Sequence, residues 1–85
     1  MDKLQIHVGK RIKELRNKND ISQLRLSLLS NLDRTYINSV ENGRRNISIG
    51  TLKKITDSLE VTLEEFFSSN LFNEFDNNKE TKENE

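Results

Sequence analysis

The sequence predicts an all-α chain folded as a compact bundle of five helices, and three observations carry that reading. Apolar residues recur at intervals of three and four in successive stretches, whereas a half-buried strand would alternate them. From the second stretch onward, each is preceded by Ser, Asp or Thr, residues whose side-chain oxygens cap helix starts. Proline is absent and glycine occurs 3 times in 85 residues, so the helix interiors are nearly free of breakers. A chain of this length makes one domain with a small core, for which association with a second subunit is physically attractive.

The elements follow in order. Leu4, Val8, Ile12 and Leu15 are spaced by four, four and three and mark the inner stripe of a first helix ending between Asn17 and Asp20. Ser22 is the N-cap of a second helix, in which Leu26 and Leu29 fall at helical spacing. Asn31 sits in the interruption from Ser30 to Asp33, and after Gly it is the residue that best tolerates the left-handed backbone of a sharp turn. Asp33 caps a third helix that turns Ile37 and Val40 inward and Arg34, Thr35, Asn38, Ser39 and Asn42 outward. Gly43 stands where a left-handed C-terminal cap is expected.

Ser48 begins the fourth helix, expected to bury Ile49, Leu52, Ile55 and Leu59. Thr62 with Glu65 three residues later is a capping-box pattern, so a fifth helix starts at Leu63 and contains Phe66 and Phe67. Beyond it, Leu71, Phe72 and Phe75 can add one or two helical turns with little core left to enter. Two readings follow: Leu63, Phe67 and Leu71 form a dimer interface, or these residues close the monomer's own core. Residues 1–75 are thus read as the folded domain and 76–85, wholly polar, as a tail that composition leaves disordered.

The two short helices joined by a tight turn have the form of a helix-turn-helix, which makes double-stranded DNA the expected partner. A helix laid in the major groove meets base edges with its N-terminal residues, here Arg34, Thr35 and Tyr36, followed by Asn38 and Ser39. Arginine can donate twice to guanine, asparagine can pair bidentately with adenine, and a threonine methyl or tyrosine ring can touch the thymine methyl. Tyr36 has a second reading, with its ring on the core and its hydroxyl outside. Arg44, Arg45 and Asn46 follow the helix and suit phosphates, which position a protein without reading sequence. Paired half-sites one helical turn apart would call for a homodimer.

The formal net charge of zero hides an asymmetry. Residues 1–55 hold 12 Lys or Arg against 5 Asp or Glu, and residues 56–85 hold 2 against 9. The basic part contains the expected DNA surface, so the net value says little about phosphate affinity.

With SQ opening the second helix, LDRTYI the third, and VENGRRN leading into a capped fourth, the chain resembles the Cro/cI-type (XRE) regulators, whose fold is the lambda-repressor-like five-helix domain. DRTYI followed by VENGRRN and ISI resembles, within that family, the controller proteins of restriction-modification systems. The resemblance spans residues 8–67. It implies that Gln23 bonds a phosphate and braces the recognition helix, and that Arg16 and Glu41 form an ion pair between the first and third helices. It also implies that Arg34, Thr35 and Tyr36 read or distort DNA while Arg45 and Asn46 hold the backbone. Operator binding by a homodimer and contact with RNA polymerase are the implied partnerships. The chain departs from the family where Ser27 replaces a usual Ala, Asn31 a usual Gly, and Leu28 and Leu29 usual charged residues. The adjacent leucines call for an apolar contact that the pattern does not place.

Other classes fit less well. With no cysteine there is no thiolate metal site, disulfide or catalytic thiol. There is no glycine-rich phosphate loop, and His7, the sole histidine, is expected to lie partly exposed without a partner, which leaves no triad. No enzyme activity, cofactor or metal is expected. No stretch is long and apolar enough to cross a bilayer and no signal-peptide core is present, so the expected location is the cytoplasm. Within the same fold a phage-type repressor or an antitoxin that represses its own operon is the alternative. From another class comes a protein-interaction module using Leu28, Leu29 and the acidic C-terminal part, for which the basic face would be dispensable.

Overall fold

The computed structural model describes residues 3–76; apart from Asp76, the polar tail expected from 76 to 85 lies outside the described residues. Five α-helices follow one another: α1 Lys3–Lys18, α2 Gln23–Ser30, α3 Arg34–Glu41, α4 Ile49–Ser58 and α5 Leu63–Phe67. A 3₁₀ segment, Asn70–Asp76, follows them. Among the described residues there is no strand.

The caps act where the sequence puts them. Ser22, Asp33 and Ser48 accept the backbone N–H groups of Arg25, Thr35 and Thr51 through their side-chain oxygens. Thr62 and Glu65 form the full reciprocal box: the Glu65 N–H donates to Thr62 Oγ1 at 3.0 Å and the Thr62 N–H to Glu65 Oε1 at 2.8 Å. Asn31 (φ 60°) and Gly43 (φ 76°) adopt the expected left-handed conformation. Asp20 (φ 56°) and Glu60 (φ 59°) adopt it too, at a steric cost that glycine would not carry. After each, as after Gly43, paired N–H groups close back on the last turn, for example Glu60 on the Asp57 carbonyl and Val61 on that of Thr56. This satisfies carbonyls that the helix end leaves open. Ser27 donates its hydroxyl to the Leu32 carbonyl, so Ser has a partner at the position where the resemblance implies Ala.

α1 packs on α3, α2 on α3 and α4, and α5 on α4. Their shared interior holds Val8, Ile12, Leu15, Leu26, Ile37, Val40, Leu52, Ile55, Leu59, Phe66 and Phe72. Three expectations, two about burial and one about the partners of His7, are corrected. Ile49 is 80% exposed and Leu4 41%. Ile49 is the first residue of α4, and a spacing of three turns each successive side chain back by about 60°, so it falls off the edge of the stripe that Leu52, Ile55 and Leu59 define. Leu4 lies in the first turn of α1 and lines, with Ile49 and Phe67, the same surface recess.

Second, the C-terminal apolar residues do find core to enter. α5 stops after five residues with Ser68 as its C-cap, and the chain folds back so that the buried Phe72 ring lies 6.0 Å from that of Phe66 and 4.9 Å from that of Phe67. Phe75 packs against the core edge. Third, His7 is well partnered: Nδ1 is 2.7 Å from the Lys3 carbonyl, Nε2 is 3.7 Å from Glu74, and the ring meets Phe75 edge-on at 5.4 Å. Together with Arg11, whose guanidinium donates to the Phe66 and Glu65 carbonyls at 2.7 and 2.8 Å, these contacts bind α1 to the C-terminal segment.

Candidate nucleic-acid interface

The candidate surface is built by α2, α3 and the loop that follows. Because Asn31 turns the chain without a long connection, the start of α2 and the outer face of α3 lie side by side. Gln23, Arg34, Thr35 and Asn38 line one shallow recess of about 360 Å³. Arg34, Thr35 and Asn38 are exposed and Gln23 is half-buried. Three guanidinium, hydroxyl and amide groups thus project from adjacent turns of one short helix, the geometry that base-edge reading needs.

Beneath this surface lies an ion pair. Arg16 Nε and Nη2 donate to the two Glu41 oxygens at 2.7 and 2.9 Å, and Nη1 donates to the Ile21 carbonyl at 2.9 Å. Both residues are buried. A bidentate pair satisfies both charged groups away from water, where a lone charge would be costly. Gln23 Nε2 donates to Glu41 Oε1 at 3.0 Å, and Asn38 Nδ2 donates to Gln23 Oε1 at 3.3 Å. Asn42 Nδ2 donates to the Asn38 carbonyl at 3.0 Å and to its Oδ1 at 3.2 Å. The ion pair therefore continues as a chain of hydrogen bonds onto the outer face of α3.

The remaining expected residues are placed differently. Tyr36 is half-buried and packs against the core, and the Arg45 guanidinium carbon stands 5.3 Å from the centre of its ring, within cation–π range. Arg44 and Arg45 are exposed in the α3–α4 loop, and Ser39 is half-buried on the flank of α3. Asn46 is exposed but lines the apolar recess shared by Leu4, Ile49 and Phe67, away from the polar one. Gln5 was not anticipated: its Nε2 donates to the Gly43 carbonyl at 2.7 Å, tying the arginine-bearing loop to α1. A lone Gln on a helix flank gives no sequence signal for such a contact. Of the three residues expected at a dimer interface, Leu63 and Leu71 are half-buried against the core and Phe67 is 43% exposed. Leu24, Leu28 and Leu29 are all exposed on α2. Among the described residues no cluster of three or more His, Cys, Asp or Glu can hold a metal ion, and no helix is long and apolar enough to cross a membrane.

Residues 12–66 match the helix-turn-helix family. The chain belongs to that family. It is 45% identical over 69 residues to the control protein C.MunI of a Mycoplasma species, an alignment covering 80% of this chain and 93% of that protein. The restriction-modification controller protein C.AhdI of Aeromonas hydrophila superposes with a TM-score of 0.71 at 38% identity, covering 74% of this chain and 96% of the other. A further controller protein, C.Esp1396I, solved as a tetramer with its natural 35-base-pair operator, gives 0.76 at 39% identity over 79% of this chain and 88% of its own. This helix-turn-helix protein thus shares fold and most of its length with controller proteins.

Proposed function

We propose that this protein is a sequence-specific regulator of transcription that binds two-fold operator DNA as a homodimer, and that it serves as a restriction-modification controller acting on its own gene and a linked endonuclease gene. The observation that carries the reading is the shared recess of Gln23, Arg34, Thr35 and Asn38. Arg34 and Asn38 supply the guanine- and adenine-reading chemistries, the Thr35 methyl suits thymine, and Gln23 stands at the rim where a phosphate passes. Arg44 and Arg45 add backbone contacts, with Tyr36 held between core and Arg45; Asn46 lies on the side of the apolar recess. Likeness to C.MunI and C.AhdI along nearly their whole length supports the narrower assignment.

The dimer forms, in this reading, on the apolar recess that Leu4, Ile49 and Phe67 line. RNA polymerase is the further partner through which activation would act, the cytoplasm is the compartment, and the protein binds without catalysing. Selection of bound sequences from a randomised DNA pool, with the full-length protein at near-physiological salt, tests the proposal. The expected result is a two-fold motif with half-sites about one helical turn apart. Absence of any enriched motif would refute it and favour the protein-interaction reading.

A further inference from the structure

The hydrogen-bond chain running outward from the ion pair has a direction, and the direction decides how one base-reading side chain is presented. The Glu41 carboxylate can only accept. Gln23 therefore has to offer it Nε2, as it does at 3.0 Å, and this leaves Oε1 as the end that meets Asn38. Asn38 answers with Nδ2, 3.3 Å away. Its Oδ1 is then on the other side of the amide, where Asn42 Nδ2 donates to it at 3.2 Å. Asn42 is held there by its second bond, 3.0 Å to the Asn38 carbonyl, made across the last turn of α3. No link in this series can be reversed alone, because each amide would then face donor to donor or acceptor to acceptor.

An asparagine amide has two N–H donors and two carbonyl lone pairs. With one of each used internally, Asn38 keeps one of each, which is what the adenine edge takes: a donor for N7 and an acceptor for the N6 amino group. Were the amide free to turn over, the same side chain would offer those groups in the opposite order and discrimination would drop.

We propose that Asn42, at the C-cap of α3 and not itself a base reader, is a positioning residue for specificity: it and Gln23 clamp the Asn38 amide from both sides in the single orientation that Glu41 dictates. The proposal rests on the DNA-binding reading above. Asn42 is exposed, so replacing it leaves the core intact.

The test is site selection and competition binding with the full-length protein, comparing wild type, Asn42→Ala and Asn42→Asp. Asn42→Ala leaves Asn38 with its single 3.3 Å partner, and Asn42→Asp sets an acceptor against Oδ1. In both, discrimination at one base position of each half-site is expected to fall about tenfold, corresponding to roughly 1.4 kcal/mol, with the other positions and the melting temperature nearly unchanged. Variants that select the wild-type motif with undiminished discrimination at every position would overturn the proposal. So would a uniform loss across all positions, the mark of a merely structural role. If wild type itself selects no motif, the functional reading falls and this inference with it, an outcome distinct from the other two.

Discussion

Gly9 of α1 lies against the main chain of α3: a Cβ added at Gly9 would run into the carbonyl oxygens of Val40 and Glu41. Those carbonyls belong to the backbone of a packed helix and cannot swing aside. In an ordinary exposed helix, Gly→Ala stabilises by about 1 kcal/mol. Here the sign reverses. Gly9→Ala forces α1 and α3 apart and is expected to destabilise by about 1–3 kcal/mol, read as a lowered midpoint in urea unfolding.

The ion pair makes a prediction with two parts. Arg16→Met alone leaves the Glu41 carboxylate buried with Gln23 as its remaining donor, and should cost about 3–5 kcal/mol. Changing both residues, Arg16→Met with Glu41→Leu, removes the uncompensated charge and is expected to recover most of that loss in thermal or urea unfolding. Operator discrimination should not recover with it, since Gln23 would have lost the acceptor that orients it.

Arg34 and Arg45 should fail differently. Arg34→Ala is expected to cost roughly 1–3 kcal/mol of operator affinity and to relax one base position. Arg45→Ala should weaken binding to every sequence alike and lower the salt slope by about 1. Equilibrium binding to matched and mismatched duplexes across a salt series separates the two patterns.

The apolar recess predicts a clean separation of assembly from folding. Ile49→Asp places a charge on a residue that is 80% exposed, at the first position of a helix, where an acidic group is favourable. Sedimentation should show monomers, with unfolding of the monomer shifted by no more than about 0.5 kcal/mol. Leu71→Asp, on a residue packed against the core edge, should instead lower stability.

The helix boundaries were legible because their chemistry is local: Ser22, Asp33, Ser48 and Thr62 cap through their own side chains, and Asn31 and Gly43 tolerate the turns they occupy. The inward faces of α3 and the Arg16–Glu41 pair were legible too, the first by period and the second by likeness. What the pattern could not supply depends on which surfaces meet. Ile49 keeps helical spacing yet hangs beyond the packed layer, and Phe72 is buried because the chain turns back after Ser68, a reversal that periodicity does not encode. Asp20 and Glu60 take left-handed conformations while exposed, held by the backbone hydrogen bonds that close the preceding helix ends; Asp tolerates that region better than most side chains, but nothing in Glu60 announces such a turn. In the candidate interface, residue types pointed to Arg34, Thr35 and Asn38, while the Gln5 contact, the clamp on Asn38 and the Arg45–Tyr36 stack depend on tertiary placement.

The clasp between Arg11 and the end of α5 has a consequence for how the molecule behaves on dilution. Five residues are too few to hold a helix unaided, so α5 persists because α1 supplies donors for its last carbonyls and Phe72 covers it. Phe67 projects from that same short helix into the recess proposed for pairing. Subunit pairing and ordering of residues 63–76 would then draw on one equilibrium. Amide exchange in this segment is expected to slow as protein concentration rises, while exchange in α3 follows global unfolding.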